Sequence, residues 1–148
     1  WDAEPVSLEP ITDEAVAKLA RNDTKKLRLV NLWATWCGPC VAELPEFVAI
    51  NRMYRGRNFE LVTISLDDLE KRAQALKVLQ ENHVAATNYI LATPDRDKFG
   101  DALDKEWPGP VPYTLLIAPG GKVLFRKGGA VDPLEVKRAI VGFLGRTF

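Results

Sequence analysis

Histidine, methionine and cysteine are the scarce residues of this 148-residue chain: there is one histidine, His83, one methionine, Met53, and there are two cysteines, Cys37 and Cys40. Two cysteines are too few for the disulfide framework that staples small secreted domains. A structural zinc centre needs four nitrogen or sulfur ligands, and His83 alone can join the two thiols, so neither a metal nor an organic cofactor is expected. Excess charge is lacking too. Twenty basic residues balance twenty acidic ones, which leaves no electrostatic footprint for nucleic acid or an anionic membrane surface. No apolar run approaches the ~20 residues that span a bilayer. Trp1 to Pro10 has neither a basic start nor an apolar core and does not read as a signal peptide. The chain opens on Trp1 instead of Met, which leaves room for a targeting segment or a membrane tether ahead of it. Repeats and low-complexity stretches are absent.

What is present is ordinary globular composition, 47% hydrophobic and 27% charged, at a length that suits one domain, 1–148, with one sizeable core. Ile11, Ala15, Val16, Leu19 and Ala20 share one helical face, with Thr12 as cap and Asp13-Glu14 in the first turn. Leu27 to Ala34 reads as a buried strand. Val41, Leu44, Phe47, Val48 and Asn51 describe a second helix, kinked at Pro45. Phe59 to Leu66 is another buried strand; Leu69, Ala73, Leu76 and Leu79 follow at helical spacing, then a short strand at Thr87 to Ala92. Phe99 to Leu103 reads as a short helix or turn weakened by Gly100, and Trp107-Pro108-Gly109-Pro110 as a loop. Pro119-Gly120-Gly121 joins strands Tyr113 to Ala118 and Lys122 to Arg126 in a hairpin. Asp132 caps a last helix with Pro133 at its first position, Glu135 at the capping-box position, and Val136, Ala139, Ile140, Phe143 and Leu144 facing inward. Strands alternating with helices, then a hairpin and a helix, make an α/β sandwich with parallel strands and an antiparallel edge.

Both cysteines lie in Trp36-Cys37-Gly38-Pro39-Cys40, between the end of a strand and the start of a helix. Free backbone N–H groups and the helix dipole at that place stabilise a thiolate at Cys37. Cys40, about one turn on, is placed to attack a mixed disulfide formed at Cys37. Gly38 lets the chain turn tightly and keeps the site open to a partner. Pro39 sits in the first turn, where a missing N–H costs nothing. These are the parts of a thiol–disulfide exchange centre. Bare CxxC also occurs in zinc proteins; the apolar strand, the Trp, and the helix containing Pro45 separate this site from them.

The run NLWATWCGPCVAELPEF resembles the thioredoxin superfamily, and within it the TlpA/ResA-like branch of membrane-tethered or secreted bacterial oxidoreductases, over about Leu27 to the C-terminus. The resemblance implies a thioredoxin-like three-layer sandwich with a central mixed sheet. It also implies a mid-fold helix-strand insert, matched by Leu69 to Ala92, a core over about 27–148 and an N-terminal extension over about 1–24. It implies a redox disulfide between Cys37 and Cys40, and a cis-proline facing the pair that guides substrate backbone, matched by Val111-Pro112. Thioredoxin keeps a buried Asp six residues before the first cysteine; here that position is Asn31, which cannot transfer protons. The branch places a Glu six residues after it, matched by Glu43, which shares a helix face with Cys40. A carboxylate there takes the proton of Cys40 or raises thiol pKa by repulsion, against the plain alternative of a solvated Glu.

The resulting expectation is a dithiol–disulfide exchange enzyme, a reductant of protein disulfides. Cys37 exchanges, Cys40 resolves, Glu43 assists, and Trp36, Gly38, Pro39, Val111 and Pro112 form the substrate surface. Its partners would be a cysteine-containing substrate protein and an upstream thiol donor. The resemblance places it as a monomer in the bacterial periplasm or envelope, with the cytoplasm as alternative. Trp107 reads either as part of the docking surface or as a loop anchor, and Gly128-Gly129 either as the turn beside the cis-proline or as a plain turn. Trp33, Met53, His83, Lys25-Lys26 and Arg126-Lys127 read as structural or solvated. Three rivals remain: a peroxiredoxin-like peroxidase, for which the PxxxTxxC arrangement is missing; a copper or other metal-binding module using His83; and a redox sensor using the same cysteines.

Overall fold

A computed structural model describes residues 4–145. Trp1 and both ends of the expected 1–148 span lie outside the described residues. The elements in chain order are β1 (Glu9–Ile11), α1 (Asp13–Arg21), β2 (Leu27–Trp33), α2 (Gly38–Tyr54), β3 (Phe59–Ser65), a short 3-10 turn (Leu69–Lys71), α3 (Arg72–Glu81), β4 (Thr87–Leu91), α4 (Arg96–Leu103), β5 (Tyr113–Ile117), β6 (Val123–Gly128) and α5 (Pro133–Leu144). One sheet runs β1-β4-β3-β2-β5-β6. β1, β4, β3 and β2 are parallel, and β5 and β6 form the antiparallel edge.

β2 has nearly every side chain buried because helices cover both faces of the sheet. Val30 and Leu32 turn to a core shared with α1 and α4, which also takes Val62 and Ile64 of β3 and Leu115 and Ile117 of β5. Leu27 and Leu29 turn the other way, onto Phe47 and Ile50 of α2 and Val136 and Ile140 of α5. Trp33, on that second face, packs with both cysteines, Leu44 of α2, and Ala75 and Leu79 of α3. The result is three layers, helix-sheet-helix, with α2 across the centre of the sheet and its first residues at the end of β2.

Several boundaries differ from the sequence reading. Ile11 does not belong to the first helix; it ends β1, which pairs with β4. A three-residue strand is too short to show a period, and its Pro10 is tolerated because the strand lies at the sheet edge. The helix starts where Thr12 caps it, Oγ1 accepting from Ala15 N at 3.2 Å. Leu69 and Ala73 do not face the core: both are exposed, and the buried face of α3 is Ala75 and Leu79. The 3-10 turn ahead of α3 winds three residues per turn and shifts the phase on which the sequence spacing relied. Phe143 is 46% exposed, so the inward face of α5 is carried by Val136 and Ile140. α4 is a full helix with Asp95 as its cap. Gly100 inside it makes room for Trp107, whose Cε3 would lie 3.3 Å from an added Cβ.

The loop between α4 and β5 carries Pro112 and is held from below. Asp104 accepts from the Tyr113 hydroxyl at 2.6 Å and from Arg126 Nε and Nη2 at 2.8 and 3.1 Å. Burial pushes the Asp104 carboxyl up, but the bonds from Arg126, Tyr113 and the Glu106 amide outweigh it and hold the pKa below 3.8. Trp107 stacks edge-on against Phe99 and donates from Nε1 to Pro110 O at 2.9 Å. Trp107 therefore anchors the loop. Asp104→Ala is expected to cost about 2 kcal/mol, less than a fully buried pair because Arg126 is partly exposed. A carboxyl held low in the fold stabilises above its unfolded pKa and loses that contribution as pH falls through the folded value. Urea unfolding should therefore show the wild-type advantage at pH 7 shrinking in acid.

Candidate active site

The backbone leaves β2 at Trp33, turns through Ala34-Thr35-Trp36 and enters α2. Cys37 is the N-cap of that helix, with an extended backbone, and its Sγ accepts from Cys40 N at 3.3 Å. A sulfur at this position lies against the unpaired N–H groups of the first turn, which favour negative charge there. Cys37 and Cys40 are disulfide-bonded with a Cα–Cα distance of 5.3 Å. Their exposures differ in the way sequential exchange needs: Cys37 keeps 7% of its surface open and Cys40 none. Gly38 and Pro39 occupy the first helical turn. Gly38 does not have a backbone that demands glycine, and beyond its chain neighbours and its own helix backbone no atom lies within 4 Å of where its Cβ would stand. Glycine there leaves the ground beside the sulfur clear instead of enabling the turn.

Trp36 stands 63% exposed immediately before Cys37, with the Arg96 guanidinium 5.9 Å from its ring centroid. A cleft lined by Thr35, Trp36, Asp67, Lys71, Gln74 and Arg96 opens beside it. Val111-Pro112 is a cis peptide. Val111 packs against the cluster containing both cysteines, and Pro112 O accepts from Gly129 N at 2.9 Å, so Gly129, directly after Gly128 ends β6, braces the cis-proline segment. His83 follows α3 in a left-handed conformation and lines a separate cleft with Asn51 and Arg55.

Glu43 is buried, 4% exposed, with Oε1 accepting from Asn31 Nδ2 at 3.3 Å and Oε2 from Val131 N at 3.2 Å. The solvated-surface alternative for this residue is thereby removed. Burial raises its pKa above 4.5 against the lowering effect of those two bonds, and Glu46 adds a small push upward. A carboxyl whose pKa is raised by folding costs stability as pH climbs from the unfolded value through the folded one. Glu43→Gln is therefore expected to be more stable than wild type at pH 7, with the difference gone below the unfolded pKa. Paired urea melts of the oxidised chain at both pH values check this, and a variant that loses stability at pH 7 contradicts it.

Sequence reasoning missed one residue that shapes this site. Asp67, 4% exposed just after β3, accepts from Thr35 N at 3.0 Å, from Thr35 Oγ1 at 2.6 Å and from Ser65 Oγ at 2.5 Å. It pins the segment that presents Trp36 and Cys37. The signal for it was weak: an acid at a strand end reads as a solvated turn.

A family model described as Redoxin matches residues 4–140. The chain is similar to the thiol-disulfide oxidoreductase ResA of Oceanobacillus iheyensis, 31% identical over 75% of this chain and 53% of that protein. It is also similar to the thiol:disulfide interchange protein HelX of Rhodobacter capsulatus, 28% identical over 99% of this chain and 77% of that protein. The chain thus spans about half of the first relative's length and about three quarters of the second's. Among solved structures, a thioredoxin-family thiol:disulfide interchange protein of Chlorobium tepidum superposes with a TM-score of 0.67 at 22% identity, covering 87% of this chain and 85% of that one. A DsbF homologue of Corynebacterium diphtheriae superposes with a TM-score of 0.70 at 19% identity, covering 82% and 74%. These two likenesses bear on the fold, which is thioredoxin-like as the sequence indicated.

Proposed function

The chain belongs to the Redoxin family, and from that premise we propose that it is a thiol–disulfide oxidoreductase that reduces disulfides in client proteins. The observation that carries this reading is the unequal pair at the head of α2: Cys37 at the N-cap with 7% of its surface reaching solvent, Cys40 sealed behind it, and the two disulfide-bonded. In the reduced chain the Cys37 thiolate attacks one sulfur of a client disulfide, forming a mixed disulfide and releasing the other client sulfur as a thiolate. Cys40 gives up its proton to Glu43, then attacks Cys37 Sγ, and the remaining client sulfur leaves with the electron pair. The chain ends oxidised, the client holds two thiols, and an upstream thiol donor resets the pair.

Trp36 and Val111-Pro112 offer the client an aromatic face and an extended backbone edge, with the space above Gly38 and Pro39 kept clear between them. The CGPC spacing is that of thioredoxin, whose potential is about −270 mV, and this favours the reducing direction. The resemblance to ResA-like proteins supports an extracytoplasmic setting, with the chain acting as a monomer on cysteine-containing proteins. As a test, catalytic amounts of the chain should accelerate the reduction of insulin by dithiothreitol, read as the onset of turbidity. No acceleration at any concentration up to that of insulin contradicts the proposal.

A further inference from the structure

One rung of the sheet is polar from strand to strand. Asn88, Thr63, Asn31, Thr114 and Lys127 stand opposite one another on β4, β3, β2, β5 and β6. Directly opposed residues share a face, and here it is the face beneath α2, since Asn31 meets Glu43. Buried polar groups are costly unless hydrogen-bonded. The rung is satisfied at its β3–β4 end, where the Thr63 hydroxyl donates to Asn88 Oδ1 at 2.7 Å and the Asn88 amide donates to Ser7 O and Val84 O at 3.0 and 2.9 Å.

Its centre is not. Asn31 has no exposed surface, and its Nδ2 makes two long bonds, to Glu43 Oε1 at 3.3 Å and to Thr114 Oγ1 at 3.4 Å, while its Oδ1 has no partner. A side-chain amide can exchange its oxygen and nitrogen by a half-turn with almost no change of shape. As placed, Asn31 presents a donor to a carboxylate that can only accept. Reversed, it presents Oδ1 to the same place, where a protonated Glu43 and the Thr114 hydroxyl can both donate to it. Each orientation leaves one amide atom unpartnered; as placed the amide favours the ionised carboxylate, and reversed it favours the protonated acid. The Val131 N–H bond to Oε2 serves both.

We propose that Asn31 is a positioning residue that lets Glu43 gain and lose its proton in place, by reversing its side-chain amide as the carboxyl titrates, and so sets the pH range over which Cys40 resolves. This rests on the reading that Glu43 takes the proton of Cys40. The groups acting on Glu43 are Asn31 on β2, the Val131 amide before α5 and Glu46 on α2, with Cys40 one helical turn back on its own helix and Thr114 of β5 reached through Asn31. Thr63 and the exposed Lys127 complete the rung on either side. The acids acting on its titration are therefore on its own helix.

The test uses the reduced chain and a nitrobenzoate aryl disulfide. Attack by Cys37 releases one coloured thiolate, and attack by Cys40 on the mixed disulfide releases the second. The rate of the second release against pH should show a break that Glu43→Gln removes. Asn31→Asp places a second carboxyl beside the first, where the two resist joint ionisation, and should move the break upward by about one pH unit or more. A break unmoved in Asn31→Asp overturns the role of Asn31 while leaving that of Glu43. A break retained in Glu43→Gln overturns both. Should Asn31→Asp fail to fold, NMR of the wild-type chain decides. The Asn31 side-chain amide signals should titrate with the same midpoint as the Glu43 carboxyl carbon, and amide signals indifferent to that midpoint overturn the proposal.

Discussion

Cys40→Ser is expected to stop exchange with the client still attached. Cys37 sits at the helix N-cap with part of its surface open, so its attack does not need Cys40. Release does need it: the second sulfur is fully buried one turn on, and a serine hydroxyl cannot replace a thiolate as the attacking group. Incubated with insulin or glutathione disulfide, the variant should accumulate a covalent adduct at Cys37, seen by mass spectrometry and on a non-reducing gel. Turnover should fall by about three orders of magnitude. Cys37→Ser should lose turnover to the same degree but trap nothing, because the remaining thiol is shielded. Adducts forming equally on Cys40 in Cys37→Ser would show that the difference in exposure does not order the two steps.

Asp67→Ala is expected to have the next largest effect. Its carboxyl oxygens gather the Thr35 amide, the Thr35 hydroxyl and the Ser65 hydroxyl. Removing them leaves the buried Ser65 hydroxyl and two part-buried Thr35 donors short of a partner, at a cost of about 2 kcal/mol. The loop that loses its clamp is the one presenting Trp36 and Cys37, and misplacing a reacting group by about 1 Å can cost 100-fold in rate. The variant should unfold at lower urea, and its insulin reduction should drop at least tenfold with the loss mainly in kcat/KM. Asp67→Asn retains one acceptor oxygen and should fall between. Full activity in Asp67→Ala, with the stability loss present, would confine Asp67 to holding the fold.

The redox pair was legible because its chemistry is local. A buried strand, a cap position, a proline at the helix start and two thiols one turn apart all lie within a few consecutive residues, and each has a local physical signature. Val111-Pro112 was legible through resemblance and through its place just before β5; the cis bond itself has no signature in residue order. What escaped was nonlocal. Asp67 reaches Thr35 across 32 residues, Val131 reaches Glu43 across 88, and Asn31 meets Thr114 across 83. Such pairings depend on strand order, which hydrophobic periodicity does not specify. β1 was lost because three residues carry no period. The phase of α3 was lost because a 3-10 turn precedes it. Gly100 reads as a weak point of a helix, yet it admits the ring of Trp107.

Exchange activity and the direction of electron flow both depend on how readily the Cys37–Cys40 bond takes up two electrons. The equilibrium of the chain with reduced and oxidised glutathione, quantified by mass spectrometry after acid quenching and alkylation, measures this directly. One reversible two-electron couple is expected, more reducing than about −230 mV and so on the thioredoxin side of glutaredoxin. A value near −120 mV, the potential of a dedicated oxidant, would contradict the reducing role, and no reversible couple at all would contradict exchange chemistry at this pair.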